Sequence, residues 1–110
     1  MPLYMSQVAY TREHLAALTK EPQDRTEAIS AVAQKLGCRL LSFYYSFGEY
    51  DGVVIAEAPN ETAMSAVLLA AISAGHIRAS KTTQLLAPKD AVEAMRQAGT
   101  AAFKAPGGTG

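Results

Sequence analysis

Apolar and polar residues follow two different periods along this chain, and the order of those periods predicts a mixed α+β fold. Four stretches rich in β-branched and aromatic residues predict strands, at residues 3–10, 38–47, 53–58 and 76–86. The fourth stretch is unusually polar in its middle. Helical segments separate the strands, so we expect one sheet with helices packed on it.

Helical spacing predicts two main helices, one after Pro22 and one after Asn60. Pro22 suits a first helical turn because its missing N–H is not needed there, and Asn60 is a favourable N-cap. Gly37 and Gly75 are placed to end the two helices with a left-handed cap. The apolar stripes are Ala28, Ile29, Val32, Ala33 and Leu36 in the first helix, and Met64, Val67, Leu68, Ala71 and Ile72 in the second.

Two further segments give weaker helical signals. The polar segment 11–20 predicts one or two weak turns. Asp90 and Glu93 bracket a capping box, which predicts a short last helix through Ala98. Residues 100–110 have the composition of a flexible tail.

The order strand, helix, strand, strand, helix, strand is that of the ferredoxin-like βαββαβ sandwich. We therefore predict an α+β fold with an antiparallel four-stranded sheet, two helices on one face and an extra C-terminal helix. The length of 110 residues fits one domain, which we place at residues 1–99.

The second face of the predicted sheet needs a cover, because neither face is charged enough to be a solvated surface. Covering ~400 Å² of apolar area would yield about 10 kcal/mol before association costs. We predict a homodimer that stacks sheet on sheet; the alternative is that the last helix folds back over this face. On the second strand, alternation predicts one face with Leu41, Phe43, Tyr45 and Phe47 and the other with Leu40, Ser42, Tyr44 and Ser46.

Charge and hydropathy argue against several partner classes. Ten basic and ten acidic residues give zero net charge, so we expect no nucleic-acid partner. The longest apolar stretch, around residues 67–72, is too short to span a bilayer, and residues 1–4 do not resemble a signal peptide. We therefore expect a cytoplasmic protein without a membrane partner.

The hairpin between the second and third strands carries a phenol and a carboxylate at its turn, in Gly48-Glu49-Tyr50-Asp51-Gly52. In an extended backbone the side chains of Tyr50 and Asp51 point to opposite sides. Asp51 is a candidate base or ligand anchor, and Tyr50 a candidate ligand contact. The alternative is structural: Asp51 accepts backbone N–H groups, and Tyr50 packs with its hydroxyl satisfied.

His76 and Arg78 lie two residues apart at the start of a strand and so share a face. With Tyr44, or with Asp51 brought across, they predict a small pocket for an anionic ligand or an acid–base pair. The alternative is a histidine placed favourably near a helix C-terminus and an arginine at a solvated rim. We expect His14, on its polar segment, to face solvent.

Cysteine and histidine usage gives no sign of a metal site. Cys38 is the only cysteine, and its place between a helix and a strand predicts a small buried residue and not a nucleophile. With two histidines and no ligand-like spacing, we expect no metal. The sequence has no phosphate-binding loop or catalytic-triad order, and we expect no cofactor.

Several runs resemble the GYD domain family, which takes its name from a Gly, Tyr, Asp cluster. They are Pro2-Leu3-Tyr4-Met5, Ser42-Phe43-Tyr44, Gly48-Glu49-Tyr50-Asp51, Val53-Val54-Ile55, Glu57-Ala58-Pro59, Gly75-His76-Ile77-Arg78 and Thr82-Thr83. The resemblance covers roughly residues 1–90 and implies a ferredoxin-like subunit similar to those of the dimeric α+β barrel proteins. It implies no established biochemical function, since related barrel families include cofactor-free monooxygenases, haem-dependent peroxidases and ligand-binding regulators.

Three hypotheses about function remain open. The first is a homo-oligomeric module that binds a small organic ligand or supports assembly, with Tyr44, Tyr50, Asp51, His76 and Arg78 as ligand contacts. The alternative is a cofactor-independent monooxygenase or isomerase, with Asp51 or His76 as base and Tyr50 or Arg78 holding an enolate. The third is a protein-interaction adaptor. The sequence does not decide whether the protein is an enzyme.

Overall fold

The fold consists of four strands and four helices in a computed structural model that describes residues 1–101, 106 and 107. The elements are β1 (Leu3–Tyr10), α1 (Arg12–Lys20), α2 (Thr26–Lys35), β2 (Arg39–Tyr45), β3 (Gly52–Glu57), α3 (Glu61–Ser73), β4 (Ile77–Leu85) and α4 (Pro88–Thr100). The predicted tail at 100–110 lies mostly outside the described residues. Among the helices described, none has the length and apolar content needed to cross a membrane.

The four strands form one antiparallel sheet in the order β2-β3-β1-β4. This order is that of the ferredoxin-like sandwich, and the predicted fold class is confirmed. β1 and β3 are central, while β2 and β4 form the edges. Residues 78–84 of β4 are exposed throughout, which agrees with the polar middle of this strand in the sequence.

The core lies between the sheet and α2 and α3. Alternate residues of β1 and β3, such as Tyr4, Val8 and Val54, are buried on this face, and α3 adds Met64. Ser6 is fully buried among them, and its hydroxyl lies 2.8 Å from the hydroxyl of Thr82. This pairing satisfies a polar group that would otherwise be costly to bury.

Both hydrophobic clusters of the described residues lie on the helix side of the sheet, and we call the opposite face the uncovered face. Met5, Val53 and Ile55 of the central strands lie on it and are only half-buried. α4 contributes no buried residue, and Met95 on this helix is 69% exposed. The structure therefore does not show α4 covering this face, and the sheet-on-sheet dimer stays a prediction.

Several predicted element boundaries are corrected by local hydrogen bonds. The segment expected to form weak turns is the full helix α1, because Thr11 caps it with its side chain. α2 begins at Thr26 and not near Pro22, since Asp24 accepts the N–H of Thr26 in a local turn. α4 begins at Pro88 without a side-chain cap and extends to Thr100, so the predicted capping box is absent.

The predicted N-cap of α3 is confirmed, whereas the predicted alternation along β2 is wrong. Asn60 caps α3 as predicted, accepting the N–H of Ala63 at 2.9 Å. On β2, however, an irregularity between Leu40 and Ser42 shifts the register by one residue. Leu40 therefore lies on the core side with Phe43, and Leu41 does not share their face, contrary to the alternation expected from sequence.

Candidate functional site

A cavity of about 200 Å³ lies between the core face of the sheet and the helices α2 and α3. Its walls are almost entirely apolar. They include Val8 and Val54 from the sheet, Ala28, Ile29 and Val32 from α2, and Met64, Val67 and Leu68 from α3. A cavity of this kind offers a ligand burial and dispersion contacts but few hydrogen bonds.

The polar side chains that line the cavity are Tyr10, His14, Arg25 and His76; we call them the polar cluster. The imidazoles of His14 and His76 stack with their ring centroids 4.2 Å apart and their planes 18° apart. The ring of Tyr10 meets His14 edge-on at 4.9 Å. Two residues 62 positions apart in the chain are thus brought into direct contact beside the cavity.

Thr11 joins the two segments that supply these histidines. Its hydroxyl caps α1 by accepting the N–H of His14 at 3.1 Å, and it donates to the carbonyl of Gly75 at 2.7 Å. Its own N–H donates to the carbonyl of His76 at 2.9 Å. Gly75 has a φ of 81°, a left-handed conformation that favours glycine and turns the chain from α3 into β4.

Tyr10 is held in place by the hairpin that carries the Gly-Tyr-Asp cluster. The carboxylate Oδ2 of Asp51 accepts the backbone N–H of Tyr10 at 2.8 Å. A Cβ at Gly52 would lie 2.7 Å from the Tyr10 hydroxyl, so the phenol packs against a position where only glycine fits without rearrangement. Burial, with smaller effects from Tyr45 and Asp51, raises the pKa of Tyr10 to about 12.

Arg25 reaches the cavity from the segment before α2. Its guanidinium donates to the side chain of Gln23 at 3.2 Å, and the carbonyl of Gln23 accepts the hydroxyl of Tyr45 at 3.2 Å. Within residues 1–101, 106 and 107, the ion pairs are Arg39 with Glu57 and Arg96 with Glu93, so no carboxylate there neutralises Arg25.

The electrostatic setting of the polar cluster favours a neutral imidazole at His14. Burial, with further contributions from His76 and the Arg25 cation, lowers the pKa of His14 below its ordinary value of 6.5. No aspartate or glutamate lines the cavity. The cluster therefore presents hydrogen-bond donors and one uncompensated positive charge to anything that enters.

The residues predicted from sequence do not all meet at this cavity. Of the five, His76 lines it, and Asp51 lies behind Tyr10 as a backbone acceptor, in agreement with the structural alternative. Tyr44 pairs with Val53 on the uncovered face and is 61% exposed. Tyr50 borders a shallow hollow on that same face, and Arg78 is exposed on β4.

Sequence reasoning missed Tyr10, His14 and Arg25 as members of the site. His14 was expected to face solvent, but it is half-buried and belongs to the inward side of α1 with Leu15 and Leu18. The available signal was Thr11, whose role as an N-cap makes the following segment a true helix. Once a helix is assumed, the spacing of residues 14, 15 and 18 places them on one stripe.

The buried cysteine carries no sign of reactivity. Cys38 is buried as predicted, and burial raises the pKa of its thiol. In the described part of the chain, no group of three or more histidine, cysteine, aspartate or glutamate side chains is arranged to hold a metal ion.

The family comparison decides what this domain is related to. A family model of the GYD domain matches residues 4–95, which is most of the chain. The chain belongs to the GYD domain family. A comparison with curated proteins gives no match.

Several solved structures are similar to this GYD domain at low sequence identity. TTHA0845 from Thermus thermophilus is 14% identical with a TM-score of 0.50, over 79% of this chain and 95% of that chain. The transcriptional regulator NMB0573 from Neisseria meningitidis, in complex with L-Met, is 17% identical with a TM-score of 0.48; the match covers 79% of this chain and 51% of that chain. A NIPSNAP domain protein from Burkholderia xenovorans is 14% identical with a TM-score of 0.41; the match covers 79% of this chain and 94% of that chain. At 14% identity the likeness to TTHA0845 concerns the fold alone.

Proposed function

We propose that this GYD domain is a homo-oligomeric module that binds a small organic molecule in the cavity between its sheet and helices. The single observation that carries the proposal is an apolar cavity whose polar groups are gathered in one cluster. An apolar interior with a few convergent polar groups is the usual form of a small-molecule site. Of the contacts expected from sequence, this proposal keeps His76 and adds Tyr10, His14 and Arg25.

The volume of the cavity bounds the size of the ligand. At about 200 Å³ it is smaller than the sites of drug-sized molecules. A dry cavity of ~150 Å³ lined by aliphatic side chains is large enough to hold benzene. We therefore expect a ligand with a single ring or a short chain.

A pair of alanines on α2 allows a direct test of the cavity. Ala28 lines it, whereas Ala31 is exposed on the same helix. Ala28→Leu should fill the cavity and abolish the rise in melting temperature caused by a bound one-ring or short-chain compound. Ala31→Leu, the matched control, should keep that rise. A ligand-induced rise that survives Ala28→Leu would place the binding site elsewhere.

The oligomeric part of the proposal is supported by the half-buried apolar side chains on the uncovered face of the sheet. A second copy stacked on this face would bury them. Sedimentation at micromolar concentration should give about twice the chain mass of 11.6 kDa. A monomer under these conditions would remove the oligomer from the proposal.

A catalytic alternative is favoured by one observation, the stacked imidazole pair beside an apolar cavity. A neutral histidine in such a place can act as a general base in a cofactor-independent monooxygenase or isomerase. His76 is then the base, because the Asp51 carboxylate is occupied by the N–H of Tyr10. Oxygen uptake or turnover with a quinol or dicarbonyl compound, abolished by His76→Ala, would favour this alternative over binding alone.

A further inference from the structure

We propose that the cavity is selective for small carboxylates with an apolar tail, whose carboxylate group lies at the polar cluster beside Arg25 and the two stacked imidazoles. This inference rests on the proposed function and specifies its ligand. The tail of the ligand fills the apolar interior.

The charge distribution around the cavity argues for an anion. The side chains of the polar cluster carry N–H and O–H donors, and none of them is a carboxylate. The Arg25 guanidinium has no carboxylate partner among the described residues. The Asp51 carboxylate accepts the backbone N–H of Tyr10 and does not line the cavity. An incoming carboxylate would supply the missing partner, in a place where partial burial strengthens the interaction.

The rest of the cavity argues for an apolar tail. Away from the polar cluster its walls are aliphatic and aromatic side chains, such as Ile29, Val32, Phe43 and Leu68. A hydroxyl or charge placed there would lose its hydrogen bonds to water without replacement. Sugars, phosphosugars and zwitterionic or dicarboxylic metabolites are therefore poor ligands for this site.

His14, stacked on His76 beside the cavity, makes the binding of a carboxylate dependent on pH. Without a ligand, burial, the stacked partner and the Arg25 cation all disfavour a proton on His14. A bound carboxylate offsets that cost, so binding takes up protons and affinity rises as the pH falls toward 6. Apart from His76, the charged or titratable groups that face His14 from other elements are Tyr10 at the end of β1 and Arg25 before α2, while Arg12 and Glu13 are exposed on α1 itself. Tyr45 and Asp51 act on Tyr10.

The test compares phenylacetate with its neutral isostere phenylacetamide, using the full chain and calorimetric or NMR titration. The two probes have the same shape and differ in the charge of the head group. We expect phenylacetate to bind about tenfold more tightly at pH 6.5, a difference of about 1.4 kcal/mol. The preference should shrink as the pH rises to 8, whereas binding of the amide should not change.

Two arginine variants separate a local effect from a change in net charge. Arg25→Gln should remove most of the preference for phenylacetate. Arg12→Gln removes the same charge from an exposed side chain that does not line the cavity, and it should keep the preference. His14→Gln should flatten the pH dependence of the preference for phenylacetate. The part of the preference that depends on Arg25 should remain. Melting temperatures without ligand show whether each variant is folded.

The outcomes distinguish this inference from the function on which it rests. Equal binding of acid and amide, both abolished by Ala28→Leu, would overturn the carboxylate preference and leave the binding function intact. A preference unchanged by Arg25→Gln would also overturn it. Failure of both probes to bind at millimolar concentration would count against the carboxylate ligand and the binding cavity together.

Discussion

The two faces of the sheet differ in what covers them and in how their side chains are used. On the covered face, Tyr4, Val8 and Val54 are buried under α2 and α3, and a gap in this packing forms the cavity. On the uncovered face, Met5 and Ile55 are only half-buried. A ligand cavity requires walls on both sides, which only the covered face has. The partly accessible apolar side chains of the uncovered face are the basis of the proposed dimer.

The Gly-Tyr-Asp cluster divides between these two faces. Asp51 and Gly52 act toward the covered face, where they fix the backbone and the phenol of Tyr10. Tyr50 borders a hollow on the uncovered face, together with Lys81 and Val53. The cluster is therefore not one site, although its residues are adjacent in sequence.

The largest expected effect is a difference in the free energy of unfolding between two methionine variants, one on each face of the sheet. Met64 is 2% exposed under the covered face, so Met64→Ala should lower the free energy of unfolding by about 2–5 kcal/mol. Met5 is half-buried on the other face, and Met5→Ala should cost roughly 1 kcal/mol or less in a monomer. Chemical denaturation measures both. A larger cost for Met5→Ala that grows with protein concentration would instead indicate a second copy on that face.

Removal of the Asp51 carboxylate should have the next largest effect. Asp51→Ala leaves the buried N–H of Tyr10 without its acceptor and should cost about 1–3 kcal/mol. Asp51→Asn keeps an acceptor oxygen and should cost less. Denaturant midpoints compare the two variants; equal losses would show that the charge matters and the hydrogen bond does not.

Gly52→Ala tests the close approach between the hairpin and the Tyr10 phenol. The added methyl group would clash with the hydroxyl, and we expect a loss of about 1–3 kcal/mol. Tyr10→Phe removes the clashing oxygen, so Gly52→Ala should cost less in that background. A double-mutant cycle measures this coupling. Additive losses would mean that the added methyl group is opposed by other atoms, such as Val8 Cγ2 at 3.3 Å, and not by the hydroxyl.

The smallest expected effect is a pH dependence of stability on the covered face. Because the pKa of His14 is lowered on folding, the unfolded chain binds a proton first as the pH falls through the ordinary value of 6.5. The contribution of His14 to the free energy of unfolding is therefore present above pH 6.5 and lost as the pH falls below it. Since His14 is partly exposed, the loss should be a fraction of a kcal/mol. Thermal melts between about pH 7.5 and 5 should show a shallower slope in His14→Gln.

The fold was predictable from sequence because its signals are local. The strand β1 has the predicted limits, Gly37 and Gly75 adopt positive φ, and Asn60 caps α3. Each of these depends on a few neighbouring residues whose chemistry can be judged in isolation. The irregularity in β2 was not predictable, because it depends on how that strand pairs with β3.

The site was harder to predict because its members come together only in three dimensions. His76 was identified from its place just before β4, but its stacking partner comes from α1. The contact depends on the hydrogen bonds of Thr11 to both segments. Tyr44 and Tyr50 were predicted as ligand contacts, yet Tyr44 pairs with Val53 on the uncovered face and Tyr50 borders a hollow on that face.

The exposed edge strand β4 affects how this domain behaves at high protein concentration. A strand at the border of a sheet is a template to which foreign chains can add by backbone pairing, the first step toward fibres. Here the border carries Ser80-Lys81-Thr82-Thr83, whose hydroxyls and ammonium group are costly to dehydrate. This composition protects the domain from strand-by-strand polymerisation.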